Sequence, residues 1–308
     1  MWLLVLLLQL LQPSDAPIMQ EAPPSLHRAR APVRQRGRRR PPETDDAIFR
    51  WLGQVLPAHW GEVLDAGTGL DSLTWLAASP ATSITAVTAS KTMHKDVVGG
   101  VADFLDPSAD IVLIGNWQDE QLLHGRSFDV VIADYLLGAV DYFAPHFQDG
   151  LLRRLAGLVR PDGWLAIVGR EPDDITAKDA TSQLILDANA LRDASMTLSR
   201  QMTYREIPQW WVQERLGALG LQVREAKLFP RQVTKDKVLG RLVWAEKEIR
   251  NVPHGSLRAS LLKHLAGLRA RVQASRALAR GHPFGQDYAM LVQQSPPQQG
   301  ARHGLSSV

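Results

Sequence analysis

From Thr44 onward the chain alternates between two hydrophobic rhythms. "TDDAIFRWLGQVLP" sets Ile48, Trp51, Leu52 and Val55 on one face at helical spacing, with Thr44 placed to cap the first turn. Short runs of strand length follow, "GEVLDAG", "SITAVTA", "ADIVLIGN", "FDVVIADYLLG" and "WLAIVGRE". Their centres are mostly apolar, which is the pattern of strands covered on both faces. Between them lie helix-forming stretches, "SLTWLAAS", "KTMHKDVVGGVADFL", "QDEQLLHG" and "FQDGLLRRLAGLV". Strands alternating with helices at this spacing predict βαβ units, and therefore a parallel sheet with helices on both sides. No internal repeat interrupts the pattern.

After Glu171 the alternation lapses. A polar helical stretch over about 172–203 reads as an insertion, and "IPQWWVQERLGALGLQVREAKLF" then restores a helix leading into a strand. A second, more basic helical insertion spans about 235–280, before the apolar run in "DYAMLVQQ". On the restored helix Trp210 and Trp211, with Phe229 beyond it, offer either an aromatic lid or core packing, and the helical spacing favours the core. The domain is expected over 44–294, with a loose polar tail over 295–308.

Composition changes this picture at the amino terminus. Hydrophobic and charged contents of 45% and 22% in 308 residues are those of an ordinary globular protein. The net charge of +3 divides into +5 over residues 1–40 and −2 over the remainder, so the folded part is close to neutral. Residues 1–43 combine an apolar run, Trp2 to Leu11, a small-residue exit at Ser14-Asp15-Ala16, and an arginine- and proline-rich segment without apolar periodicity. The run is short for a membrane span and resembles a signal segment, although no basic residue precedes it. The combination is similar to the two-part leaders of some plastid proteins. The expectation is a disordered leader directing the chain to the secretory pathway or a plastid. No aromatic residue interleaves the arginines for base stacking, which argues against a nucleic-acid-binding arm. With no cysteine, disulfides, thiolate nucleophiles and cysteine-ligated metals are excluded, and no metal site is expected.

The chemistry concentrates in "VLDAGTGLDS", Val63 to Ser72, where a buried strand ends in an acid, turns through two glycines and reopens as a helix. Two glycines there permit a tight turn, or allow backbone amides to approach a nucleotide-like ligand with no Cβ between. In open α/β sheets the ligand crevice lies beyond the carboxyl ends of the strands, where this turn falls.

Together with "SFDVVIADYLLG", "LLRRLAGLVRPDGWLAIVG" and the closing "WWVQERLGALGLQV" and "DYAMLVQQ", this stretch resembles, in order, the motifs of the class I S-adenosylmethionine-dependent methyltransferases. The resemblance implies a Rossmann-like, doubly wound α/β fold: a seven-stranded sheet, mostly parallel with an antiparallel last strand, carrying the two helical insertions. It implies S-adenosyl-L-methionine as cofactor, bound by the first motif through Asp65, Ala66, Gly67, Thr68 and Gly69. Two strand ends depart from the family. Thr88 stands where an acid commonly holds the ribose, and Asn116 with Trp117 stand where an acid commonly faces adenine. An amide can still accept from the adenine amino group and an indole can stack on the base. At the end of the fourth strand Asp134, also a cofactor contact, and Tyr135 are placed to face the methyl acceptor. His146 is a candidate base.

The motif "ADYL" is not the asparagine-proline-proline type associated with methylation of adenine or glutamine amino groups. The expected activity is methyl transfer to a small-molecule or lipid acceptor. The basic stretch 235–280 reads as a cap over the pocket, a solvated face, or a contact for an acidic partner or a membrane surface. Two alternatives stay open. One is a non-catalytic methyltransferase-like binding subunit. The other is a nicotinamide-dependent oxidoreductase, against which Ser72, in place of a third glycine, and Thr88 both count.

Overall fold

The computed structural model describes residues 44–294. The expected leader and tail lie outside them. The first helix, α1 (Ala47–Val55), is capped by Asp46 rather than Thr44: its carboxylate accepts the Ile48 and Phe49 N–H groups at 2.7 and 3.3 Å. The Thr44 hydroxyl accepts the Asp46 N–H one step earlier. The buried face carries Ile48, Phe49 and Leu52, with Trp51 and Val55 only partly covered.

Then follow β1 (Gly61–Asp65), α2 (Leu70–Ala77), β2 (Ala81–Thr88), α3 (Lys91–Val101), β3 (Ile111–Ile114), β4 (Phe128–Asp134), α4 (Leu136–Phe143), α5 (Gln148–Leu158) and β5 (Val159–Arg170). The chain continues through α6 (Ala180–Leu198), α7 (Gln209–Ala218), β6 (Leu221–Val233), α8 (Lys235–Arg250), α9 (Gly255–Ala274), α10 (Arg276–Arg280) and β7 (His282–Gln294). The seven strands form one sheet in the order β3-β2-β1-β4-β5-β7-β6. The ladders from β3 to β5 are parallel, and β7 runs antiparallel to both its neighbours, as expected of the last strand. One expected helix is absent: "QDEQLLHG" forms consecutive turns, with Leu123 and Gly125 at positive φ, so β3 reaches β4 through a helix-free crossover.

Apolar side chains on successive strand residues point to opposite faces and build two cores. One packs α1, α2 and α3 against the sheet, with Phe49 stacked on Trp75 at 4.6 Å and Trp60 edge-on to the same ring. The other packs α4, α5 and α7. Trp211 joins this second core beneath Arg215, whereas Trp210 stands 63% exposed, contrary to the core packing its spacing suggests.

The two insertions do not form separate appendages. Leu184, Ile185 and Ala188 of α6 meet Leu242 and Ala245 of α8 and Leu268 of α9 in a third apolar cluster. Arg269 pairs with Glu246 at 2.8 Å and Arg271 with Asp187 at 3.3 Å, so part of the basic stretch ties these helices together instead of facing solvent freely. This helical cap covers the carboxyl ends of the strands. No helix among the described residues is long and apolar enough to cross a membrane.

Candidate functional site

In the strand registers β1 ends two residues short of its neighbours: Asp65 lies opposite Ala86 of β2 and Ile132 of β4, and those strands run on to Thr88 and Asp134. The turn after β1 is held between these neighbours, since the Ala66 N–H donates to the Ile132 carbonyl and the Thr68 N–H to that of Val87. Ser72, one turn into α2, closes the turn from within. Its hydroxyl donates to Asp65 at 2.8 Å and accepts the Gly69 N–H at 3.0 Å. Gly67 is favoured by close approach: a Cβ there would lie 3.0–3.3 Å from the side chain of Leu136, which would have to shift by a few tenths of an ångström. That contact is with the protein's own α4, not with open ligand space.

A cavity of about 430 Å³ opens over these strand ends. Ala66, Gly67, Thr68, Thr88, Asn116 and Trp117 line it, and so do Asp134 and Tyr135. Asp65 and Gly69 do not reach it; they shape the turn from behind. The Thr88 hydroxyl accepts the Ser90 N–H, and Ser90 in turn caps α3 through the Met93 N–H. Asn116 has both ends of its amide engaged, donating to the Phe143 carbonyl at 2.8 Å and accepting the Gln118 N–H at 3.0 Å. Trp117 is buried with its indole N–H on the Ala66 carbonyl at 2.8 Å, and the Arg154 guanidinium sits 5.6 Å from its ring centre. That arginine also donates to the carbonyls of Trp117, Asp119 and Leu122, and so fixes the whole turn beneath the indole.

His146 is not brought to the cavity. It sits exposed in the α4–α5 turn at φ +63°, its N–H donating to Asp141. The expected base is therefore displaced by its own turn conformation, and any proton acceptor facing the cavity comes from the carboxylates.

Those carboxylates are unusual. Burial lifts the Asp65 carboxyl from 3.8 to about 6, with hydrogen bonds from Thr68 and Ser72 opposing the rise. Burial also raises Asp134 well above its ordinary range, and the Asp65 charge adds to this. The Asp134 Oδ2 has no hydrogen-bond partner among the described residues. Tyr135, at φ +49°, is held in its protonated form by burial and then by Asp287 and Asp134.

The far part of the cavity draws on residues that the sequence did not single out. Arg170, at the end of β5, pairs with Glu206 at 3.1 Å and with Asp287 of β7 at 3.5 Å. Arg231 of β6 pairs with Asp173 at 3.4 Å and shares Asp287 at 3.6 Å. Arg192 from α6, Lys237 and Trp244 from α8, and Tyr204 complete this wall. Of the three aromatics weighed as a lid, Phe229 alone lines the cavity, with Trp51 edge-on to it at 6.0 Å.

No family model matches the sequence, and no curated protein matches it. Solved structures do. A provisionally named methyltransferase of Bacillus halodurans C-125 superposes with a TM-score of 0.53 at 12% identity, covering 82% of this chain and 100% of that one. The fold is that of the class I methyltransferases. S-adenosylmethionine-dependent methyltransferases of Thiobacillus denitrificans and Geobacter sulfurreducens, both in complex with S-adenosyl-L-homocysteine, match with TM-scores of 0.47 and 0.46. Their identities are 13% and 14%; 84% and 80% of this chain is covered, and 94% and 90% of theirs. Within this methyltransferase fold the cavity occupies the switch point of the sheet, between β1 and β4.

Proposed function

We propose that the protein is an S-adenosylmethionine-dependent methyltransferase acting on a small-molecule or lipid acceptor. The observation that carries this reading is Asp134, a buried carboxylate with an unpartnered oxygen, lining the same cavity as the glycine turn. A buried acid without a partner is costly, and a cationic ligand group removes that cost. The donor set fits the cofactor. Asp134 would hold its ammonium or sulfonium end, the 66–68 backbone its middle, and Thr88 with Trp117 its nucleoside. When bound, S-adenosylmethionine supplies an activated methyl group on a positively charged sulfur. The residues do the rest. The cap excludes water, the aromatic lining aligns the acceptor, and Tyr135, kept protonated and hydrogen-bonded to Asp287, flanks it.

The test is calorimetric titration of the full chain with S-adenosylmethionine and S-adenosylhomocysteine across pH, in buffers of different ionisation enthalpy. Asp134 is protonated more readily than an ordinary acid, and a cation beside it favours the carboxylate. Binding should therefore release a proton at low pH and tighten as pH rises, and Asp134→Asn should abolish both effects. Absence of binding to either nucleotide in the parent chain would overturn the proposal, and binding of a nicotinamide dinucleotide in their place would favour the oxidoreductase.

A further inference from the structure

The wall of the cavity remote from the glycine turn carries four cations, Arg170, Arg192, Arg231 and Lys237, with Arg241 fully buried behind them. Facing them on the same wall are two carboxylates, Glu206 and Asp287; Asp173 lies behind Arg231, and Asp193 pairs with Arg192 towards solvent. The pairing is incomplete in a specific way. Arg170 and Arg231 both spend Nε on the single Asp287 and Nη1 on a second carboxylate, which leaves Nη2 of each without a partner among the described residues. Lys237 donates to the Gln232 carbonyl and forms no ion pair among the described residues. Arg241 donates one Nη to Asn189, while its Nε is buried and unpartnered.

Crowding of like charges leaves its mark. Arg241 is lowered to about 9, by burial first and then by the charges of Arg192, Arg231 and Arg170. Lys237 is lowered by burial and by Arg231. Guanidinium groups held this way in a partly desolvated cavity are matched by planar or tetrahedral oxyanions, which accept paired N–H bonds and neutralise the excess charge. The lining also includes apolar and aromatic side chains, Val140, Phe143, Tyr204, Phe229 and Trp244, and Asp287 links the cluster to Tyr135.

We propose that this cluster is the specificity site for an oxyanion on the acceptor, a carboxylate or phosphate carried on an apolar body, with Arg231, Arg192 and Lys237 as its ligands. The word acceptor rests on the methyltransferase reading; the anion site itself does not. The apolar body lies against the aromatic lining residues of the same cavity, which Asp134 and Tyr135 also line.

The experiment is calorimetry of the full chain, with and without saturating S-adenosylhomocysteine, using four eight-carbon probes: octanoate, octyl phosphate, octanol and octylamine. At least one of the two anions should bind about ten-fold or more tightly than octanol, and octylamine should bind most weakly. Comparing octanoate with octyl phosphate identifies the anion. Lys237→Gln, which breaks no ion pair, should weaken the preferred anion about ten-fold while leaving octanol and S-adenosylhomocysteine unchanged; Arg231→Gln should weaken it further. The inference is overturned if octanol binds as tightly as both anions, if no probe binds, or if Lys237→Gln leaves anion affinity intact. Failure of the methyltransferase reading looks different: the parent chain would not bind S-adenosylhomocysteine, whatever the anions do.

Discussion

At the scale of single residues, the two acids read from sequence separate into different jobs. Asp65 is a structural acid whose partner is Ser72, and its raised value makes a prediction about stability. The folded carboxyl titrates near 6 and the unfolded one near 3.8, so between those values the folded state holds more protons than the unfolded. Stability should be fullest below about pH 4, fall as pH rises to about 6, and then level off, with a contribution on the order of 3 kcal/mol. Asp65→Asn should flatten that slope in urea titrations carried out from pH 4 to 7. Gly67 makes a second prediction. A valine there would press on Leu136 before it met any ligand, so Gly67→Val should cost about 1–3 kcal/mol of folding stability in addition to any loss of binding. Equal denaturation midpoints for parent and variant would show that the turn has room to spare.

At the scale of elements, most of the sheet could be read from residue patterns because both rhythms there are strong. Strands such as "FDVVIAD" are apolar on both faces, and "SLTWLA" carries its buried side chains at helical spacing. What escaped was decided by local chemistry or by distance along the chain. Asp46 outcompetes Thr44 as a cap because it stands one residue before the first helical turn, and "QDEQLLHG" leaves helical geometry at Leu123 and Gly125, both at positive φ. The cavity lining was legible where one short motif supplies it, at Ala66, Gly67 and Thr68, while Asp65 and Gly69 of the same motif shape the turn. It was not legible at Arg170, Arg192, Arg231 and Lys237, which come from β5, α6, β6 and α8 and meet only through the tertiary fold. The cap yields the prediction proper to this scale. Leu268 is fully buried in a cluster separate from those on the sheet. Leu268→Ala should cost about 2–5 kcal/mol there. Amide exchange should accelerate in α6, α8 and α9 while β1, β4 and β5 keep their protection; uniform acceleration would mean that cap and sheet unfold as one unit.

At the scale of the whole molecule, the cavity lining falls into two blocks of sequence. Residues 46–143 supply the glycine turn, Thr88, Trp117 and Asp134; residues 170–287 supply the cations, the paired carboxylates and most of the aromatic wall. Nothing between 144 and 169 touches it, although α5 and most of β5 lie in that interval and bury their apolar side chains in the sheet cores. The two halves of the site are thus inherited through different stretches of one gene, joined by a segment that packs the sheet and, through Arg154, holds the turn beneath Trp117. Recombination at the start of β5, after Arg160, could exchange one half for that of a protein of the same fold while keeping that support. If the nucleotide site is as proposed, a chimera keeping residues 44–160 of this chain, followed by the carboxyl-terminal half of a methyltransferase of the same strand order, should retain the nucleotide affinity of the parent and take its preference for the second ligand from the donor.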